Sequence, residues 1–280
     1  MKTRKKVGLV LGSGAARGLA HLGVIKVLHE NNIPIDIITG TSIGALIGAA
    51  YARGYTPDQL IEYAHTLKWI KILNLIDITI NQSGLMRGDR IEDFIRSIIG
   101  DIHIEDLATP FACQCTDVNT GRTMTLDKGD TVKAIRASIS VPGIFSPVLW
   151  NEHYLVDGGL IDPVPIKLAQ HMGAQFIIAV NVTTDVVQYT EHKSQRKPSF
   201  IRRFANLKPK LSTYDVILQS IYIMEAEIAK HNLRLNPPNI LIKPEIDQFR
   251  LFEFYKTNDL IQTGIEAAQA QLSEIQKCLM

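Results

Sequence analysis

The sequence predicts an α/β protein built on a mainly parallel sheet, and two early strand–turn–helix units predict it. Val7 to Leu11 is a continuous apolar run stopped by Gly12, as expected of a strand buried on both faces. Ile35 to Thr39 is a second short β-branched run, followed by the glycine-flanked Ser42. Each run leads into a stretch of helical periodicity. Strand, glycine-rich turn and helix repeated in this order call for a parallel sheet with crossover helices.

The elements follow in chain order. From about Arg17 to Asn31, Leu19, Leu22, Val24, Ile25, Val27 and Leu28 suit one helix, and a small-residue helix follows Ser42 to about Arg53. Thr56-Pro57-Asp58 starts another, with Thr56 as N-cap and Pro57 in the first position. A helix is expected from Asp89 to Ile99 and another near Thr131 to Ser138, with strands at Phe111 to Asp117, Arg122 to Leu126, Tyr154 to Val156 and Phe176 to Val182. The last third reads as a helix from about Thr213 to Leu233, a short strand at Ile240 to Ile242 and a final helix from about Thr257 to Lys277. The amphipathic stripes of the two long helices, including Ile261, Ile265, Ala268, Leu272 and Ile275, are core-packing faces.

No internal repeat and no second core with a clear linker is visible, so one domain over residues 1–280 is expected, its motif-bearing core at about 6–182. Residues 192–210 break the pattern as an insertion. Lys193, Arg196, Lys197, Arg202, Arg203, Lys208 and Lys210 lie there without an acidic residue, interleaved with Phe200, Ile201, Phe204 and Leu207. Such a run is ordinarily a solvated loop, and it is also the candidate contact with an anionic membrane.

Composition narrows the function. An apolar content of 46% in 280 residues supports a large core and excludes disorder for most of the chain. Thirty basic against 28 acidic side chains leave a net charge of +2, which gives no global case for binding nucleic acid. Cys113, Cys115 and Cys278 offer neither a CxxC pair nor an even set, and Cys113 and Cys115 share one side of a strand, so neither a disulfide framework nor a zinc site is expected. The basic start followed by Val7 to Leu11 is too short in its apolar part for a signal peptide, and no segment reaches the roughly 18 apolar residues of a membrane span. The expectation is a cytoplasmic protein that can touch a membrane surface.

Two glycine-rich turns carry the chemistry. Gly12-Ser13-Gly14-Ala15-Ala16-Arg17-Gly18 sits where a dinucleotide fingerprint would, but the second strand does not end in the acidic residue that holds a ribose; Asp36 lies at its beginning. No Gly-Lys-Ser/Thr follows either. What remains is close backbone approach and free N–H groups at a helix N-terminus, the requirements of an oxyanion hole. The second turn, Gly40-Thr41-Ser42-Ile43-Gly44, is a Gly-x-Ser-x-Gly between strand and helix, which fits a nucleophile elbow and also an ordinary tight turn.

A serine hydroxyl needs a base. His171, His192 and His231 read as surface positions, and His21 and His153 precede or follow in the wrong order for an Asp-then-His triad, so the search for a histidine returns nothing. Asp157, ending an apolar strand and followed by Gly158 and Gly159, is the other candidate.

The glycine-rich turn after the first strand, GTSIG after the second and DGG after a later strand together resemble the patatin-like phospholipase family. Ser138-Ile139-Ser140-Val141-Pro142-Gly143-Ile144-Phe145-Ser146-Pro147 resembles the block that precedes its DG motif, and the likeness extends over roughly Lys6 to Val182. The resemblance implies a three-layer α/β/α fold and a serine acyl hydrolase in which Ser42 is the nucleophile and Asp157 its direct partner, with Gly40, Gly44, Gly158 and Gly159 as motif glycines. It implies an oxyanion hole within Gly12 to Gly18, with Gly12, Gly14, Ala15, Arg17 and Gly18 as candidates. Ser13 and Ala15 stand where the family usually has glycines, and an extra residue separates Gly14 from Gly18, so the donors stay open. Arg17 serves equally as a ligand for a substrate phosphate or as a brace for a neighbouring carboxylate. The implied substrate is a phospholipid, a lysophospholipid or a simpler carboxylic ester, with no cofactor and no metal; the alternative is a non-catalytic regulator that keeps the fold to bind acyl lipid or a partner protein.

Overall fold

The computed structural model describes residues 4–66, 89–184 and 213–279. Among these, eight strands form one sheet: β1 (Val7–Leu11), β2 (Ile37–Thr41), β3 (Phe111–Asp117), β4 (Arg122–Leu126), β5 (Val148–Trp150), β6 (His153–Asp157), β7 (Phe176–Val180) and β8 (Ile240–Ile242). Their hydrogen-bonded path is β5–β6–β3–β2–β1–β7–β8, with β4 also paired to β3. The pairs β1–β2, β1–β7, β2–β3 and β7–β8 are parallel, while β3–β4, β3–β6 and β5–β6 are antiparallel. The helices are α1 (Ala20–Glu30), α2 (Ile43–Ala52), α3 (Pro57–Thr66), α4 (Asp89–Ile99), α5 (Thr131–Ser138), α6 (Ile166–His171), α7 (Thr213–Leu235) and α8 (Thr257–Leu279).

The central strands alternate between two helical layers. Val7, Leu9 and Leu11 of β1 and Phe176, Ile178 and Val180 of β7 pack into one core with side chains of α1, α2 and α8. Val10, Ile177 and Ala179 point the other way, onto Ile166 and Ala169 of α6 and Ala229 of α7. Burial on both faces is why these strands read as unbroken apolar runs. Cys113 and Cys115 lie in the first core. A reciprocal cap opens α3: Thr56 Oγ1 accepts from Gln59 N at 3.3 Å and Gln59 Oε1 accepts from Thr56 N at 2.9 Å.

The edges of β3 decide where the sheet places its functional ends. β4 takes one edge from Cys113 to Asp117. On the other edge β2 pairs as far as Thr41↔Gln114, and β6 takes over at Asp157↔Cys115. Because β2 runs parallel to β3 and β6 antiparallel, their C-terminal ends meet head-on at neighbouring residues of one strand. Ser42 follows the first end, and Asp157 is the second.

Three local differences from the sequence reading have physical causes. β2 is shifted by two residues, because Gly40 stays extended and still pairs with Leu11 and Cys113. The first helix is preceded by a 3₁₀ turn over Ala15–Leu19. β5 has three residues and was missed, being too short to show a period. The basic run at 193–210 and His192 lie outside the described residues. Among those described, no helix is long and apolar enough to cross a membrane.

Candidate active site

Ser42 sits at a strained bend. Its φ of 57° and ψ of −125° lie in a region non-glycine residues rarely enter, at a cost on the order of 1–3 kcal/mol. Small neighbours make the bend possible: a Cβ on Gly40 would fall 2.5 Å from Gly44 O, and one on Gly44 would strike the Leu11 carbonyl. The Ser42 N–H donates to Ser138 Oγ at 2.9 Å, and Ser138 Oγ donates onward to Gln114 O at 2.8 Å. Gln114 is the β3 residue at which β2 ends, so this chain ties the bend to the sheet.

Asp157 faces it. Ser42 Oγ donates to Asp157 Oδ2 at 2.6 Å, and Gly159 N donates to Oδ1 at 2.8 Å. The Asp157 N–H donates to Ser140 O at 3.0 Å, and the buried Arg136 Nη1 donates to Ser140 Oγ at 2.5 Å. Burial pushes the Asp157 carboxyl up to about 7, against the bonds from Ser42 and Gly159 that favour its charged form. A carboxyl that ordinarily titrates near 3.9 is thereby brought close to neutral pH, where a base works best.

The loop from Gly12 to Gly18 borders the same space, and its backbone commitments separate the sequence candidates. Gly12 N donates to Val180 O at 3.0 Å and Arg17 N to Gly14 O at 3.1 Å, so these two amides are engaged elsewhere. Gly18 packs against the Ile43 side chain, which a Cβ there would strike. Gly14 and Ala15 line the cavity at Ser42, and among the described residues no backbone carbonyl takes their N–H groups. A Cβ on Gly14 would sit 2.7 Å from Val182 O, and Ala15 has a φ of 50°. The buried His21 Nε2 lies 2.8 Å from Gly12 O and donates to it, while burial lowers the ring to about 4 and keeps it neutral. Arg17 is buried and donates from Nε to Phe249 O at 2.8 Å. Burial lowers its pKa, and Asp247, Tyr222, Glu225 and Glu253 oppose that shift.

Ser42 and Asp157 open onto a cavity of about 100 Å³. Its wall is mostly apolar, with Leu46, Phe94, Val141, Ile144, Phe145 and Phe252, and Glu225 and Tyr222 add polar side chains to Ser42 and Asp157. None of the described histidines lines it: His153 bonds Asp117 at 3.1 Å, His21 holds Gly12, His171 ends α6 and His231 lies in α7. The arrangement supplies a hydroxyl bonded to a carboxylate, two amides that no described backbone carbonyl takes, and an apolar cavity beside them.

Sequence reading missed Ser138, Ser140 and Glu225. The two serines lie inside the quoted Ser138–Pro147 block, and their alternation around a helix end was a usable signal. Glu225 had none, being one acidic residue on a long helix.

A model of the patatin-like phospholipase family matches residues 9–169. The chain belongs to the patatin-like phospholipase family. Membership places it among the carboxylic ester hydrolases acting on lipid. An uncharacterised NTE family protein of Mycobacterium bovis is 29% identical over 92% of this chain and 89% of its own length. A lysophospholipase NTE1 of Coccidioides immitis is 30% identical over 97% of this chain but only 18% of its own, and that of Yarrowia lipolytica is 31% identical over 97% and 20%. Among solved structures, VipD from Legionella pneumophila matches with a TM-score of 0.52 at 14% identity, over 63% of this chain and 50% of that one, and shares the patatin-type fold.

Proposed function

We propose that this patatin-like protein hydrolyses the carboxylic ester of a lysophospholipid or related phospholipid through an acyl-enzyme, with Ser42 as nucleophile and Asp157 as its base. The observation that carries this reading is the 2.6 Å bond from Ser42 Oγ to Asp157 Oδ2 at the mouth of an apolar cavity. The names of the fungal relatives support the lysophospholipid class.

Asp157 takes the Ser42 proton as Oγ attacks the ester carbonyl. The carbonyl oxygen becomes negative beside the Gly14 and Ala15 amides, which take over its charge without rearranging. Collapse passes the proton from Asp157 to the leaving alcohol and leaves the acyl group on Ser42. Water then gives its proton to Asp157, attacks the acyl carbon and releases the fatty acid, returning the proton to Ser42. The acyl chain lies along Leu46, Phe94 and Val141, where each buried methylene contributes about 0.8 kcal/mol.

A fluorophosphonate probe followed by intact mass tests the reading. One adduct is expected on the wild type, none on Ser42→Ala, and labelling slowed by about a thousandfold or more on Asp157→Asn. Equal labelling of Ser42→Ala, or no labelling of folded wild type presented with lipid, would overturn it.

A further inference from the structure

Glu225 is a buried carboxyl that the mechanism above does not use. It projects from α7 into the cavity that holds Ser42 and Asp157, and it is almost wholly removed from solvent. Its Oε1 accepts a bond from Ser13 Oγ, inside the loop whose next two residues, Gly14 and Ala15, line the cavity. Glu225 Oε1 and Asp157 Oδ1 flank the same glycine: a Cβ on Gly159 would lie 2.6 Å from the first and 3.1 Å from the second. Two carboxyls this close in an apolar cavity do not readily carry charge together.

We propose that Glu225 is the proton-holding carboxyl of the site: neutral in the working enzyme, it anchors the oxyanion loop through Ser13, and on losing its proton it stops the reaction at alkaline pH. The proposal rests on the Ser42–Asp157 reading. Glu225 is a positioning residue, acting on the reacting atoms through the Ser13–Gly14–Ala15 backbone and through the field at Asp157.

The groups around it set the balance. Burial and the Asp157 charge push Glu225 up to about 8, against the Ser13 bond and the Arg17 guanidinium, which favour its ionised form. Arg17 in turn feels Asp247, Glu253 and Tyr222, so its charge is shared among several acids rather than given to Glu225 alone. Tyr222 lies one turn earlier on α7 and lines the same cavity, and Thr183 and Thr184 border the polar recess behind Gly14. Once Glu225 ionises, a second negative charge lies beside Asp157 and near the carbonyl oxygen that must itself become negative. The barrier then rises.

The test compares wild type, Glu225→Gln and Glu225→Ala on a short-chain nitrophenyl ester across pH. Wild-type kcat/KM should rise through about pH 7 and fall above about pH 8, whereas Glu225→Gln should rise and not fall, so that its rate at about pH 9.5 relative to about pH 7.5 exceeds the wild-type ratio at least fivefold. Glu225→Ala, unable to accept from Ser13, should lose at least tenfold in kcat at about pH 7.5, and Gln should restore most of it. An alkaline fall in Glu225→Gln matching the wild type would overturn the proposal. Infrared difference spectra keep the two readings separable: at about pH 7.5 one component of the protonated-carboxyl band should be present in wild type and Asp157→Asn and missing from Glu225→Gln, over and above the bands of Asp157 and Asp162, which burial also raises to about 7. Absence of that component from Asp157→Asn would overturn the proposal even if the esterase reading stands. A wild type with the component but neither hydrolysis nor probe labelling would overturn the esterase reading, and with it the alkaline shut-off.

Discussion

Ser138 carries a bond at each side of its hydroxyl, one from the Ser42 amide and one to the strand on which the site is built. Replacing it with alanine strands a buried N–H at the strained Ser42 bend, costing about 1–3 kcal/mol. The expected result for Ser138→Ala is a lower melting temperature and a kcat reduced by about tenfold with little change in KM, because the bend loosens while the acyl wall stays intact. A kcat equal to wild type would remove Ser138 from the positioning of Ser42. Asp157 makes a prediction of opposite sign for stability. Its folded-state carboxyl titrates near 7 and its unfolded one near 3.9, so between these values the folded protein holds a proton the unfolded chain has lost. Stability therefore falls as pH rises through that window. Asp157→Asn removes this fall, and its melting temperature relative to wild type should climb from pH 4 to pH 8 by an amount equivalent to roughly 4 kcal/mol; a constant difference would show that folding does not raise the Asp157 carboxyl. Ser42 and Asp157 were legible as candidates because each ends an apolar strand beside glycines. Ser138 and Glu225 were not, since a hydrogen bond across the fold leaves no period in the chain.

The strands and helices that were readable are those whose burial is regular. Val7–Leu11, Phe111–Asp117, Arg122–Leu126, Asp89–Ile99 and Thr131–Ser138 match the sequence reading because each has one unambiguous face or none. β2 was misplaced because Gly40 is a turn former by habit and a strand residue here, forced to lack a side chain where α2 folds back over it. What no local pattern conveys is the division of one β3 edge between β2 and β6. That division requires two strands of opposite direction to stop at adjacent residues, Gln114 and Cys115. It brings together side chains 115 positions apart in the chain and explains why Asp157 needs no loop to carry it to Ser42.

Beyond residue 169, where the family match stops, the chain still contributes to both core and site. α7 delivers Glu225, β8 extends the sheet beside β7, and α8 lies along α1 at a distance set by paired glycines, since a Cβ on Gly23 would strike Ile261 O and one on Gly264 would strike Ala20 O. We propose on this basis that residues 1–280 fold as one unit, and removal of α8 tests it. Leu260, Ile261, Ala268 and Ile275 belong to the main core, and losing the three large ones forfeits about 6 kcal/mol at roughly 2 kcal/mol each, before counting the α1 surface laid bare. A domain's whole stability is about 5–15 kcal/mol. A chain ending at residue 256 should therefore lose its cooperative melting transition and its fluorophosphonate labelling together, although Ser42 and Asp157 are untouched. The full chain should show one calorimetric transition. A truncated protein that still melts cooperatively near the full-length temperature and still labels would place α8 outside the folding unit, and the close packing at Gly23 and Gly264 would then be a docking contact between separately stable parts.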